Sequence, residues 1–301
     1  MQPLSAALAL LAIAALPAQL SADSAAAPAP LRQAQTLSAG PIPSFAHIAI
    51  VVLENRSEGS IIGNASAPYV NSLAHAYAYL DNYTAVAHPS LPNYLALIGG
   101  DTFGITSDCT GCFLPARNLA DLLADAGISG KAYMEDMPRA CFAGSRGRYA
   151  QKHNPFAYFD DIRNDPRRCQ SIVPYTELAT DLATGNLPSF IWITPNLCHD
   201  MHDCGVSTGD RWLADNLPPL LGSPAFSQQP ALLAIVWDED DGRALNRVPL
   251  ILAGPQVRTG YVSHQPADHY SLLRTIEAAW GLPPLTSNDA NAQPIGDVFQ
   301  N

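Results

Sequence analysis

The sequence has 301 residues, of which 27 are Asp or Glu and 16 are Lys or Arg, for a formal net charge of −11. Charged residues make up only 14% and hydrophobic ones 48%, so a disordered polyanion is excluded and there is apolar material for a full-sized core. The acidic balance also excludes nucleic acid and anionic membrane surfaces as main partners, because phosphate backbones are bound by replacing their counterions with Lys and Arg.

Residues 1–27 read as a secretory signal peptide. The apolar run Leu4–Leu16 is about 13 residues long, too short to cross a bilayer, and small residues follow it. The start Met1-Gln2-Pro3 departs from that pattern in carrying no basic residue. Residues 28–43 read as an Ala/Pro-rich linker and residues 44–301 as one domain. His47–Leu53, Ser189–Thr194, Ala231–Trp237 and Val248–Ala253 are continuous apolar runs expected to be buried strands. Helical spacing appears over Ala67–Tyr79, Leu91–Ile98, Leu119–Ala126 and Tyr270–Trp280. Strands alternating with helices predict an α/β three-layer sandwich around a mostly parallel sheet.

Six cysteines in an exported chain predict disulfides. Cys198 and Cys204 are close enough to staple the loop between them. Cys109, Cys112, Cys141 and Cys169 are expected to pair among themselves. Cys109 and Cys112 also have zinc-type spacing, but no second ligand pair follows.

In such folds ligands bind beyond the carboxyl ends of the strands. The residues there are Glu54-Asn55-Arg56-Ser57, then Pro195 to Asp203, then Asp238-Glu239-Asp240-Asp241-Gly242. Between them lies His88-Pro89-Ser90-Leu91-Pro92-Asn93-Tyr94, in which Pro92 suits a first helical turn and Gly99-Gly100 a stop. That puts Ser90 at or just before a helix N-terminus, where amides and the positive dipole end favour an anion. In isolation Ser90 reads as a helix cap. A serine hydroxyl becomes a nucleophile only when a base or a metal takes its proton, and the carboxylate clusters suggest a metal. Nucleophile elbow, phosphate-binding loop and H-E-x-x-H signatures are all missing, and the Asp238 run does not fit an EF-hand. Asp240 and Asp241 read as turn residues, and Asp210 as a cap for the helix after it or a partner orienting His202.

The motifs VVLENRS, AHPSLPNYLALIGG, KHNPF, ITPNLCHDMHDC with TGDRWL, WDEDDG and DHYSLLRTIEAAWGLP occur in that order from Phe45 to Pro283. Together they resemble the bacterial acid phosphatase/phospholipase C phosphoesterases of the alkaline phosphatase-like superfamily, above all the small secreted acid phosphatases of actinobacterial type. The resemblance implies that Ser90 is the nucleophile and Asn93 holds a phosphoryl oxygen. It implies that Glu54, Asn55, Asp238, Glu239 and Ser90 bind one divalent metal cation. His202 and His269 match histidines of a second metal site in two-metal relatives. Asn196 stands where the superfamily usually has Asp, so a single metal is expected, with His202 or His269 left to protonate the leaving group. Lys152, His153 and His88 are further candidates for contacting substrate phosphate. The expected function is a secreted or periplasmic phosphomonoesterase with a phosphoserine intermediate, acting on a phosphorylated small molecule or lipid head group. It is expected to be a monomer, with neither nucleic acid nor stable membrane insertion. The alternatives are a phospholipase C-type phosphodiesterase and a non-catalytic metal-binding protein.

Overall fold

The computed structural model describes residues 40–300; the signal-peptide reading of residues 1–27 and most of the linker lie outside them. Ten strands are present among the described residues: β1 His47–Leu53, β2 Ala78–Leu80, β3 Tyr83–Thr84, β4 Gly130–Met134, β5 Ile172–Pro174, β6 Phe190–Thr194, β7 Ala231–Trp237, β8 Leu250–Ala253, β9 Tyr261–Ser263 and β10 Ala267–Asp268. Eight form one sheet in the order β5-β4-β6-β1-β7-β8-β2-β9, and β10 pairs with β3. Within the large sheet only β8 runs against the others. The mostly parallel α/β sandwich read from the sequence is the observed fold.

The central strands are apolar along their whole length because both faces are covered. All of β7 is buried, and β1 is buried but for His47 at its start. Phe190 packs on Trp280, and Trp192 packs on Tyr94. The face of the sheet that these side chains share thus lies under the Ser90–Gly99 and His269–Trp280 helices. His47 has the opposite parity, since its neighbour Ile48 pairs with Phe190, and it packs on Phe226 of the Pro224–Ser227 helix. The Val206–Leu221 helix joins that second layer, contacting both Pro224–Ser227 and the Pro68–Ala76 helix.

Several boundaries differ from the sequence reading. The helix expected over Ala67–Tyr79 ends at Ala76, and Ala78–Leu80 is instead a strand held between β8 and β9. The 16-residue Val206–Leu221 helix was not anticipated, because Pro218 and Pro219 interrupt its pattern. Both prolines fall in the last turn, so the bonds they forgo, to the Ala214 and Asp215 carbonyls, weaken only the end of the helix. Disulfides join Cys109–Cys112, Cys141–Cys169 and Cys198–Cys204. The C-x2-C pair is therefore a crosslink and not half of a zinc site.

Sheet register places the chemistry. Leu53 pairs with Trp237 and Val51 with Ile193, so β1, β7 and β6 end side by side. Asp238 N–H donates to the Leu53 carbonyl at 2.9 Å, and Glu54 N–H to the Asp200 carbonyl at 2.8 Å. Three loops distant in sequence are thereby fixed at one edge.

Candidate active site

Ser90 is the first residue of the Ser90–Gly99 helix, which begins after Pro89 and ends at Gly100. Gly100 has φ of 70° and a Cβ there would lie 2.7 Å from Asp289 Oδ1, so only glycine fits this stop. The Ser90 hydroxyl does not cap the helix. Ser90 Oγ donates to Glu54 Oε2 at 2.9 Å and lies 3.2 Å from Glu239 Oε1. One turn on, Tyr94 OH donates to Glu54 Oε1 at 2.5 Å. The i, i+4 spacing of Ser90 and Tyr94 was the signal that could have identified this second partner of Glu54.

Asp238 and Glu239 reach the same place from the end of β7. Asp238 Oδ1 accepts the Asn55 N–H at 3.1 Å, and Asn55 makes the turn with φ of 51°. Glu239 also meets His88, whose ring is about half exposed and reaches Asp240 at 3.4 Å. Asp240 itself accepts three amides, from Gly242, Ala244 and Asn246, and so shapes the turn as expected.

His153 is buried deeper than a substrate contact would be, stacked on Tyr94 with ring centroids 5.3 Å apart. Its Nε2 stands 3.1 Å from Glu54 Oε1 and its Nδ1 3.1 Å from Asp200 Oδ2. These are ion-pair distances, but Nε2 and Asp200 Oδ2 lack the angles of a hydrogen bond and remain unsatisfied, as does Asp238 Oδ2. Glu54, His153 and His202 each offer one ligand atom, all within 4.8 Å of one another.

Burial governs the electrostatics. It raises the Glu54 carboxyl well above its ordinary range, and the charge of Asp200 adds to the effect. Asp238 is raised by burial and then by Glu54 and Glu239. Burial likewise raises Asp200, to about 7, and Glu239. His153 is pushed well below its usual range, first by burial and then by Lys152, which keeps its ring neutral. A cluster of four buried carboxyls with a neutral imidazole and unpartnered oxygens is what a bound cation would balance.

Two residues expected to touch substrate have other tasks. Asn93 Oδ1 accepts the Val86 and Ala87 amides, both at 3.0 Å, and its Nδ2 donates to the Ala87 and Pro89 carbonyls. Its hydrogen-bonding capacity is spent on bracing the loop before Ser90. His269 is fully buried, with Nε2 2.7 Å from the Asp238 carbonyl and Nδ1 2.8 Å from Tyr83 OH. A carbonyl only accepts, so Nε2 carries the proton and Nδ1 accepts from the tyrosine. Burial holds this ring down to about 4. Neither nitrogen is left for a metal or a leaving group.

His202 faces the open side, with Nδ1 2.7 Å from Asp203 and Nε2 3.3 Å from Lys152 Nζ. Asp210 neither orients His202 nor caps its own helix. It accepts the Tyr69 and Val70 amides at 3.2 and 2.8 Å, at the start of Pro68–Ala76. Asn196 fixes its own loop, accepting the Cys198 and His199 amides and donating to Asp136. Arg56, which was not singled out from the sequence, clamps the Asn55, Met201 and Cys204 carbonyls and so ties two site loops together.

The family model described as Phosphoesterase family matches residues 63–283. The chain belongs to the phosphoesterase family. It is 39% identical over 267 residues to the phosphatidylinositol-3-phosphatase of Mycobacterium tuberculosis, covering 87% of this chain and 86% of that one. It is 34% identical to a probable acid phosphatase of Kluyveromyces lactis over 84% of this chain, but spans only 62% of that protein's length. Among solved structures, a Vibrio parahaemolyticus protein of the alkaline phosphatase superfamily superposes with a TM-score of 0.57 at 11% identity, over 85% of this chain and 71% of that one. A phosphonate monoester hydrolase from Silicibacter pomeroyi gives 0.53 at 10% identity, over 84% and 76%. At that identity the likeness concerns the fold. Family and relatives together make the chain a phosphoric ester hydrolase.

Proposed function

We propose that this phosphoesterase is a secreted, metal-dependent phosphomonoesterase in which Ser90 attacks phosphorus and is transiently phosphorylated. The observation that carries the reading is the convergence of Glu54 and Glu239 on Ser90 Oγ, beside three buried unsatisfied atoms, His153 Nε2, Asp200 Oδ2 and Asp238 Oδ2. Carboxylates, a hydroxyl and a neutral imidazole are a donor set that fits a divalent cation. Glu54, Ser90, Asp238, Glu239 and the side-chain oxygen of Asn55 would hold it, with the neutral His153 close enough to share. When bound, the cation supplies Lewis-acid charge that favours the serine alkoxide and offsets phosphoryl charge.

The chain's own residues do the rest. Glu54, fixed by Tyr94, and Glu239, fixed by His88, aim the Ser90 hydroxyl and draw off its proton as the Oγ–P bond forms. The ester P–O bond breaks, and His202, held by Asp203 at the open side, gives the leaving alkoxide its proton. Water then hydrolyses the phosphoserine. His269 acts from behind by fixing the Asp238 backbone. Export is supported by the Leu4–Leu16 run and by three disulfides. Among the described residues no helix is long and apolar enough to cross a membrane. The relatives' names support phosphomonoesters as substrates, with a lipid head group as one class and an acidic working pH.

The test compares an aryl phosphomonoester with its matched diester, before and after chelation, in wild type and Ser90→Ala. Preferred monoester turnover, lost on chelation, restored by a divalent cation and abolished in Ser90→Ala, is expected. Turnover surviving in Ser90→Ala or in fully chelated protein would refute the nucleophile or the metal, and diester preference would favour the phospholipase C-type alternative.

A further inference from the structure

Asp108 belongs to none of the sequence motifs, yet it is built into the start of the nucleophile's helix. Its Oδ1 accepts the Leu91 N–H at 3.0 Å, one residue from Ser90, and its Oδ2 accepts from Lys152 Nζ at 2.8 Å. The same Nζ stands 3.3 Å from His202 Nε2. The Cys109–Cys112 disulfide closes the turn directly after Asp108, and Gln151 Nε2 donates to the Thr110 carbonyl at 3.0 Å. Two hydrogen bonds therefore register the Asp108 loop, tightened by its own crosslink, against residues 151–152.

A lysine ammonium on its four-carbon stem is mobile and strongly attracted to acids. Burial opposes the charge on Lys152, whereas the hydrogen bond to Asp108, and after it the neighbouring Glu54 and Asp238, favour it. Asp108 holds the ammonium outward. The carboxylate is itself well placed, since it caps a free amide at the positive end of a ten-residue helix.

We propose that Asp108 is a positioning residue that holds Lys152 at the mouth of the site, beside His202, where its ammonium meets the anionic oxygens of the substrate phosphate. This rests on the reading of Ser90 as the nucleophile of a phosphomonoesterase.

The test is a double-mutant cycle on kcat/KM for an aryl phosphomonoester, using Asp108→Asn, Lys152→Met and the double variant, with Ser90→Ala as control and metal-loaded protein throughout. Asp108→Asn keeps an acceptor for Leu91 and removes the charge facing Lys152, so kcat/KM is expected to fall about tenfold or more. The double variant should be no worse than Lys152→Met alone, because Asp108 acts through that lysine. Asp108→Glu, which restores the charge, should recover much of the loss, and Asp108→Ser, also an uncharged acceptor, replaces Asp108→Asn if that variant does not fold. Wild-type or higher kcat/KM in Asp108→Asn, losses that multiply in the double variant, or no recovery in Asp108→Glu would overturn the proposal. A dead Ser90→Ala with an unaffected Asp108→Asn sinks this inference alone, whereas an active Ser90→Ala sinks the underlying reading.

Discussion

Glu277 is fully buried in the His269–Trp280 helix, with Arg274 3.3 Å from one oxygen and no hydrogen-bond partner for the other. Asp289 faces it and already accepts the Leu285 amide, the Thr286 amide and the Thr286 hydroxyl. Two ionised carboxylates disfavour each other in such a place, which favours the protonated form of Glu277. Burial, then the neighbouring Asp289, raises Glu277 to about 8 from an ordinary 4.5. Below pH about 4.5 folded and unfolded chains both hold the proton. Between there and about 8 only the folded chain does, so this group's stabilising contribution is lost as pH rises through that window. Thermal unfolding from pH 5 to 8 should therefore show a steeper fall in Tm for wild type than for Glu277→Gln. Parallel profiles would show that Glu277 ionises normally. This pair was not readable from the sequence, because Glu277 and Asp289 lie on different elements and only the packed chain brings them together. Asp108 escaped for the same reason, since nothing in the sequence ties it to Lys152, which the motifs did single out. Glu54, Ser90, Asp238 and Glu239 were readable because each adjoins a recognisable strand end or helix start.

At the scale of elements, readability followed length and continuity. The seven-residue strands β1 and β7 are unbroken apolar runs and stand where expected. The two- and three-residue strands β2, β3, β5, β9 and β10 are too short to carry a period, and only their pairing partners define them. The Val206–Leu221 helix, hidden by its prolines, supports a neighbour through Asp210. Because that carboxylate accepts two amides at the start of Pro68–Ala76 while buried, Asp210→Ala should cost about 1–2 kcal/mol of stability. Chemical denaturation should show the lower midpoint, with kcat/KM on an aryl phosphate unchanged. A loss of activity with unaltered stability would instead tie Asp210 to the chemistry.

For the whole molecule, the parallel sheet gathers at one edge side chains that are 36 to 149 residues from Ser90 in the chain. Part of the net charge of −11 thereby becomes local. Glu54, Asp200, Asp238 and Glu239 form a buried acidic cluster that a divalent cation would offset, so an acidic protein can accept a phosphate ester at that one place. What the sequence could not show was which polar groups are already spent. Asn93 and His269 have the right chemistry for a site, but packing assigns them to the backbone. The most direct test of the chemistry at Ser90 is acid quenching of the metal-loaded protein during turnover of a phosphate-labelled aryl monoester, followed by peptide mapping of the trapped label. Covalent phosphate on Ser90, lost in Ser90→Ala and in chelated protein, is the expected result; label on another residue, or rapid turnover with none trapped on Ser90, would contradict it.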